Sequence, residues 1–425
     1  MRLLPILLTA AAATALSAEP KFRAVTIDDK IQIGYGVAVA DVDGDGRPDI
    51  LLADKRQFVW YKNPGQPPAG AATLIAPIWP KFVIAENLTK NDNVCLAAQD
   101  IDGDGKCELV VGAEWNPADT VYSGAIFHLI PGADRTQPWA AVKFPEVEPT
   151  THRMKWLQRA DGTWGLVVVP LHGRDNKAGV GAPVKVLLYT PPTPLNDPKG
   201  EWKSEPLSEE LHATHNFEVR RSPDEGQPWQ VLIAGREGIL SARSSGGMRS
   251  VGWRVASPEL GTEWQGAPLK PVAGFRGAGE VREGKVPEGH WFVATVEPMH
   301  GNELAIYRTA PVNDDRAGKT VRISLTTKLT EGHALACGDL LGTGSDQIVV
   351  GWRGKAGDAT STIGVALWAP EDEHGTEWEQ TVIDPDGMAC EDLTLADLDG
   401  DGRLDIVASG RATKNVKIYF NETPR

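Results

Sequence analysis

Apolar and polar positions alternate along most of this chain in short runs, and one run, turn and run unit returns repeatedly. The segments GVAVADVDGDGRPDILLAD from Gly36, CLAAQDIDGDGKCELVVGA from Cys95, ALACGDLLGTGSDQIVVGW from Ala334 and DLTLADLDGDGRLDIVASG from Asp392 show it most openly. Period-two alternation predicts a strand, the Asp/Gly cluster a tight turn, and the apolar run after it a second, more deeply buried strand. Each unit is therefore expected to be a β-hairpin. Weaker copies, HRMKWLQRADGTWGLVVVPL from His152 and HNFEVRRSPDEGQPWQVLIAG from His215, keep both strands without the acidic turn. A seventh hairpin is expected where PLKPVAGFRGAGE is followed, after a charged Gly/Pro insertion, by HWFVATVEP.

A third strand follows each hairpin (FVWYKNP, AIFHLIP, VKVLLYT, ILSARS, ELAIYRT, GVALWAP, VKIYFNE) and usually a fourth, as in KFVIAEN or WEQTVID. Seven units of roughly 58 residues, each of four antiparallel strands, can close into a ring that leaves no long edge exposed. The expected fold class is all-β, a single seven-bladed β-propeller over 19–425, with blades near 31–89, 90–149, 150–213, 214–262, 263–330, 331–386 and 387–425. The last blade runs out after three strands, and KFRAVTI, within 20–30, is expected to close it.

Composition narrows the partners. With 43 Lys and Arg against 57 Asp and Glu, the net charge of −14 disfavours a phosphate-neutralising surface, so nucleic acid is not an expected partner. The 45 Gly and 31 Pro fit a chain of many turns. Residues 1–18, MRLLPILLTAAAATALSA, read as a secretory signal cleaved near Ala18, so export to a periplasmic or extracellular space is expected. No later apolar run is long enough to span a bilayer, and no Cys near the leader exit supports a lipid anchor, so no membrane insertion is expected. Four Cys, at 95, 107, 337 and 390, are too few for a disulfide framework. The simplest pair to test is Cys95 with Cys107, against four buried free thiols.

The DxDGDGxxD hairpins resemble the FG-GAP or VCBS repeat of secreted propellers. A narrower resemblance lies in THRMKW with PLHGRDN, THNFE, VEPMHGNELAIYR, EGHALACGDL and MACEDLTLADLDGDGRLDIVASGRATKNVKIYFN. These segments look like the propeller domain of aldos-2-ulose dehydratase and its bacterial relatives, which eliminate water or a leaving group from keto-sugars. The cupin domains of the fungal enzyme have no counterpart in this sequence, so the isomerase step assigned to them is expected to be absent.

In such a blade the turn between strands one and two lies on one face, and the connections into strand one and between strands two and three lie on the other. The first face collects Asp41, Asp43, Asp45 and Asp49; Asp100, Asp102, Asp104 and Glu108; and Asp397, Asp399, Asp401 and Asp405. Oxygen ligands at positions 1, 3, 5 and 9 of a Gly-rich turn suit structural Ca²⁺. Leu52 at position 12 separates the first loop from an EF-hand, and the sixth blade's turn, with Leu341 and Thr343 in place of carboxylates after Asp339, is expected to hold no ion.

The other face collects His152, His215, His333 and Glu391 at the starts of inner strands. The connections there add Glu114, His172, Arg174, Arg236, His300, Asn302, Arg353 and Arg411; with His212, six of the nine His would line one funnel. Imidazoles with a carboxylate suit Zn²⁺ or another divalent ion. His152, His215, His333 and Glu391 are the expected ligands, the alternative being a metal-free acid/base cluster. The resemblance implies β-elimination, for which His172 and His300, with Arg174, would divide the acid and base work. Glu114, Arg236, Asn302, Arg353 and Arg411 would orient a small keto-sugar or glycoside, and Trp115, Trp352 and Trp79 could stack on its ring. Two other readings stand beside this lyase: a non-catalytic calcium-stabilised propeller that binds carbohydrate or protein, and a polysaccharide lyase acting on uronates.

Overall fold

The computed structural model describes residues 19–65, 78–159, 161–177, 179–220, 229–245, 248–254, 277–287, 290–309 and 320–424, so residues 1–18, where a secretory signal is expected, lie outside the described residues. Strand β1, Phe22–Asp28, is followed by seven groups. The first is β2 to β5 (Gly36–Ala40, Asp49–Ala53, Gln57–Tyr61, Lys81–Glu86) and the second β6 to β9 (Cys95–Gln99, Glu108–Ala113, Ala125–Ile130, Ala140–Lys143). The third is β10 to β13 (Thr151–Gln158, Trp164–Pro170, Val186–Thr190, Lys203–Ser208) and the fourth β14 to β17 (Thr214–Arg220, Gln230–Gly235, Gly238–Ser245, Met248–Arg254). The fifth is β18 to β21 (Glu280–Val286, His290–Glu297, Glu303–Thr309, Thr320–Thr326) and the sixth β22 to β25 (Gly332–Gly338, Gln347–Trp352, Gly364–Pro370, Trp378–Asp384). The seventh is β26 to β28 (Cys390–Ala396, Asp405–Gly410, Asn415–Asn421). No α-helix occurs among the described residues.

Each of the first six groups is a four-stranded antiparallel sheet, and the seventh takes β1 as its fourth strand, with Phe22 opposite Asn421 and Val25 opposite Ile418. The inner strand of every sheet lies against the inner strand of the next, and β26 returns to β2. That closure makes a seven-bladed propeller. Buried apolar side chains form seven clusters, one at each contact between neighbouring blades. A second strand such as Glu108–Ala113 is thus covered on both faces, which explains its unbroken apolar reading, whereas a fourth strand such as Lys203–Ser208 is mostly exposed.

The fifth blade departs from expectation. Its inner strand is Glu280–Val286, the segment read from sequence as a charged insertion, and 255–276, which holds most of PLKPVAGFRGAGE, lies outside the described residues. Glu280 and Arg282 are buried there because inner strands turn one face to the propeller axis, where the two lie 3.6 Å apart and the charges of Arg153 and Lys155 from the third blade bear on Glu280. The Cys95–Cys107 pairing is not formed: all four thiols are free. Cys95 pairs with Gly112 at one end of its hairpin, while Cys107 precedes Glu108 at the other, a separation of about 13 Å at strand rise and far beyond disulfide reach.

Candidate functional site

Four inner strands carry the same irregularity at the same place. Pairing with the second strand slips between Thr151 and Arg153, Thr214 and Phe217, Gly332 and Ala334, and Cys390 and Asp392. Such a β-bulge adds one residue, breaks the alternation and re-aims a side chain. The residues inside these slips are His152, His215 with Asn216, His333 and Glu391. Strands β2, β6 and β18 pair without a slip and bring no imidazole. His300 arrives from the turn between β19 and β20 at φ +52°, a left-handed conformation that His tolerates better than most residues. Gly301 follows it, and a Cβ there would lie 2.0 Å from the Glu297 carbonyl oxygen, so the turn demands glycine.

These devices bring four imidazoles from three-dimensionally adjacent blades into contact. Ring centroids of His215 lie 4.8 Å from His152, 4.7 Å from His300 and 4.9 Å from His333, and His300 stacks on His333 at 4.8 Å. His152 Nδ1–H donates to the His215 carbonyl (2.8 Å), His215 Nδ1–H to the Gly279 carbonyl (3.1 Å), and His333 Nδ1–H to the Glu391 carbonyl (2.6 Å). A carbonyl can only accept, so each Nδ1 carries the proton and each neutral ring keeps a lone pair on Nε2. The Nε2 atoms of His215 and His300 face each other at 2.8 Å: the His215 lone pair accepts from His300 Nε2–H, or, with the His300 proton on Nδ1, the two lone pairs can share a cation.

Burial, reinforced by Arg153 and Arg353, depresses His215 to about 3. Burial and the neighbouring His215, Arg353 and Arg153 depress His300 to about 2, and burial holds His152 and His333 well below the ordinary imidazole value. All four rings are neutral at pH 7. Ring nitrogens of His215, His300 and His333 lie within 4.8 Å of one another. Three neutral imidazoles, two of them with tautomers fixed by carbonyls, are a donor set that fits a divalent ion of the Zn²⁺ class and leaves a coordination position open.

Several sequence-assigned roles shift. His300 joins the trio, whereas Glu391 does not: its Oε2 accepts from Arg353 Nη1 (2.7 Å) and its Oε1 from Arg411 Nη1 (2.8 Å). Only 2 % exposed, Glu391 is committed to clamping two arginines at the mouth, and Arg353 is held again by Glu331 at 3.0 Å. Trp115 stacks on His152 at 4.9 Å and stays partly open, but Trp79 and Trp352 are core residues, 5 % and 8 % exposed, in contacts between blades. His172 makes no ring contact with the cluster, and its buried Nδ1 has no partner. His212 lies against Glu237 at 3.2 Å and makes no ring contact with the cluster.

Four further candidates tie loops together. Glu114 accepts from the Lys90 amide and from Asn91 Nδ2 (3.0 and 2.8 Å), Arg174 donates to the Val121 carbonyl (2.9 Å), Arg236 to the Gly179 carbonyl (2.8 Å) and Asn302 to the Thr327 carbonyl (3.0 Å). One mouth residue escaped the sequence reading. Counted back from the first Asp of the hairpin turn, Tyr35 occupies the same repeat position as His333 and Glu391. Its ring lies 5.3 Å from the Arg411 guanidinium, and its hydroxyl donates to Asp92 (3.0 Å).

The acidic turns occupy the opposite face. In each, three carboxylates converge: Asp41, Asp43 and Asp45; Asp100, Asp102 and Glu108; Asp397, Asp399 and Asp405. Of the remaining carboxylates, Asp401 pairs with Arg403, Asp104 lies 3.9 Å from Lys106, and Asp49 faces inward. The ninth position also serves the fold. Asp49 accepts from the Val42 and Asn63 amides, Asp405 from Leu398 and Asn421, and Glu108 from Ile101, while burial pushes all three up to about 7. In the sixth blade Gln347 Oε1 accepts the equivalent amide, of Leu341, without any charge (2.9 Å).

Residues 124–310 match the β-propeller domain family of aldos-2-ulose dehydratase, and residues 41–111 match the FG-GAP-like repeat. His152, His172, His215 and His300 lie within the first match, and His333 and Glu391 beyond it. The chain is thus a seven-bladed propeller that resembles FG-GAP-repeat proteins over one segment and the propeller domain of that dehydratase over another. No curated protein matches it in sequence. Among solved structures, BBS1N in complex with ARL6DN, soaked with mercury, is 13 % identical with a TM-score of 0.53, covering 96 % of this chain and 98 % of that one. The lead-soaked crystal of the same complex gives 12 % identity and 0.52 over the same shares. At such identity the likeness is one of fold alone.

Proposed function

We propose that this chain is an exported carbohydrate-active lyase that carries out β-elimination on a small keto-sugar or keto-glycoside at the histidine mouth. The observation that carries the reading is the trio His215, His300 and His333, in which carbonyls of neighbouring blades fix the tautomers of His215 and His333, in a propeller whose residues 124–310 match the dehydratase family. Elimination next to a ketone removes the α-proton, forms the C=C bond and expels the β-oxygen as water or alcohol. A base, a site for the enolate charge and a proton for the leaving oxygen are needed. A divalent ion held by the trio would supply electrophilic stabilisation of that charge.

His152 serves as the base: it lies outside the trio, its Nδ1–H is tied to the His215 carbonyl, and its Nε2 lone pair is available. Trp115, stacked against His152, offers an apolar face for a sugar ring beside that base. Arg353 and Arg411, oriented by Glu391, hold donors for substrate oxygens. On the other face, the three acidic turns bind calcium and fasten their hairpins.

Metal content of the purified protein, measured together with ultraviolet absorbance during incubation with 1,5-anhydrofructose and with a 3-keto-glucoside, tests the reading. A stoichiometric transition metal and a growing enone band, both lost in His215→Ala, are expected. Calcium alone with no enone band would leave a binding propeller in its place.

A further inference from the structure

Beneath the mouth the propeller axis holds a cavity of about 310 Å³, lined by residues from all seven inner strands. Its walls are unequal. Blades one, two and six present small side chains, among them Ala38, Ala97 and Ala336, while β10 and β18 project the long cations Arg153, Lys155 and Arg282 into the space they leave.

These cations have donors to spare. Arg153 is only 8 % exposed, its Nη1 donates to the carbonyl of its own neighbour His152 (3.0 Å), and its buried Nε has no partner. Arg282 Nη1 donates to the Val281 carbonyl (2.6 Å), and its Nη2 stands 3.6 Å from Glu280. Lys155 lies over the Phe217 ring, 5.6 Å from its centroid, and makes no hydrogen bond. Of the carboxylates that bear on these cations, Asp392 accepts from the Val37 amide (2.9 Å), Glu280 from Asn216 Nδ2 (2.8 Å) besides its contact with Arg282, and Glu218 from the Glu283 amide (2.6 Å). A buried guanidinium nitrogen without an acceptor carries a desolvation cost that an anion in the cavity would offset.

We propose that this axial cavity is an oxyanion-binding site, in which Arg153, Lys155 and Arg282 hold a phosphate or carboxylate group. The site is separate from the histidine chemistry and does not depend on it. Its occupant is a free inorganic anion or the carboxylate of a sugar acid, two sources with one recognition chemistry.

Calorimetric titration of the full chain with inorganic phosphate, with glucuronate and with glucose tests this. Saturable binding of at least one anion, and none of glucose, is expected. Arg153→Gln and Arg282→Gln should each weaken it about tenfold or more, the loss of one charge-assisted contact. Asp392→Asn, which removes a negative charge from the wall, should tighten it severalfold, a gain that misfolding cannot mimic. His300→Ala, which is expected to abolish elimination, should leave anion binding in place, so the two proposals can fail separately. Binding of phosphate identifies a free ion as sufficient, and binding of glucuronate alone identifies a sugar acid. Absence of saturable binding to either anion, or affinities unchanged in all three cavity variants, would overturn the proposal and leave the cations as a fixed network balanced by Asp392, Glu280 and Glu218.

Discussion

The two faces of the propeller are built by opposite means. Each acidic turn is local: its carboxylates fall within nine consecutive residues, and glycines such as Gly44 and Gly46, at φ +79° and +81°, let the chain curl around them. The histidine mouth is assembled across the ring, with His215 from blade four, His300 from blade five and His333 from blade six. A local site can be copied with its hairpin, and three copies exist here. A site shared between blades exists once, because each blade must supply a different member.

The largest effect expected from breaking this contrast is at the mouth. His215→Ala removes a trio member that also touches His152 and Glu280, and should lower elimination by at least about 10²-fold while circular dichroism stays unchanged. An unchanged rate would remove the mouth from the chemistry. Next comes chelation, which should lower the melting temperature by several degrees, reversed by calcium. An ion at about 100 times its dissociation constant adds about 2.7 kcal/mol per site. Thermal curves that ignore both chelator and calcium would leave the turns as plain hairpin ties.

Glu391→Gln should cost about 3 kcal/mol, because Arg353 and Arg411 lose the buried carboxylate that both share. Denaturant unfolding reads this loss, and a cost below about 1 kcal/mol would show the arginines re-partnering.

The faces should also answer pH with opposite signs. Asp49, Glu108 and Asp405, raised to about 7, favour the protonated form in the folded chain. In chelator-treated protein their contribution is whole below pH about 4 and fades as pH rises to about 7, whereas a bound cation would favour the ionised form and remove that slope. His215 and His300, lowered to about 3 and 2, contribute above pH about 6.5 and lose that contribution as pH falls. Melting temperature against pH should therefore flatten on its alkaline limb in Asp405→Asn and on its acid limb in His300→Gln. Curves parallel to that of the unaltered chain would contradict both assignments. The smallest change is a gain: Leu341→Asp with Thr343→Asp should give the sixth blade's turn a calcium-dependent stabilisation of about 1 kcal/mol or less, visible as a calcium shift larger than that of the unaltered chain.

How much could be read in advance follows the same division. The acidic turns are legible because their ligands are neighbours in the chain, and so are the strands they join. The fifth blade's inner strand is hidden in the sequence because Glu280 and Arg282 look like solvent residues until the ring turns them toward its axis. The repeat position shared by His333 and Glu391 is visible in sequence, but the slip in pairing that re-aims them is not, since it depends on the partner strand.

The sequence by itself determined a repeat of hairpins, their number and the three acidic turns, which rest on contacts between near neighbours in the chain, and the face on which the repeat positions of the histidines fall. Tertiary structure alone decided that His300 stands with His215 and His333, that Glu391 faces two arginines, and that Glu114, Arg174, Arg236 and Asn302 brace loops. The physical reason is ring closure. It brings residues 85 positions apart, as His215 and His300 are, within hydrogen-bond distance, and no local spacing encodes which of the available side chains will meet.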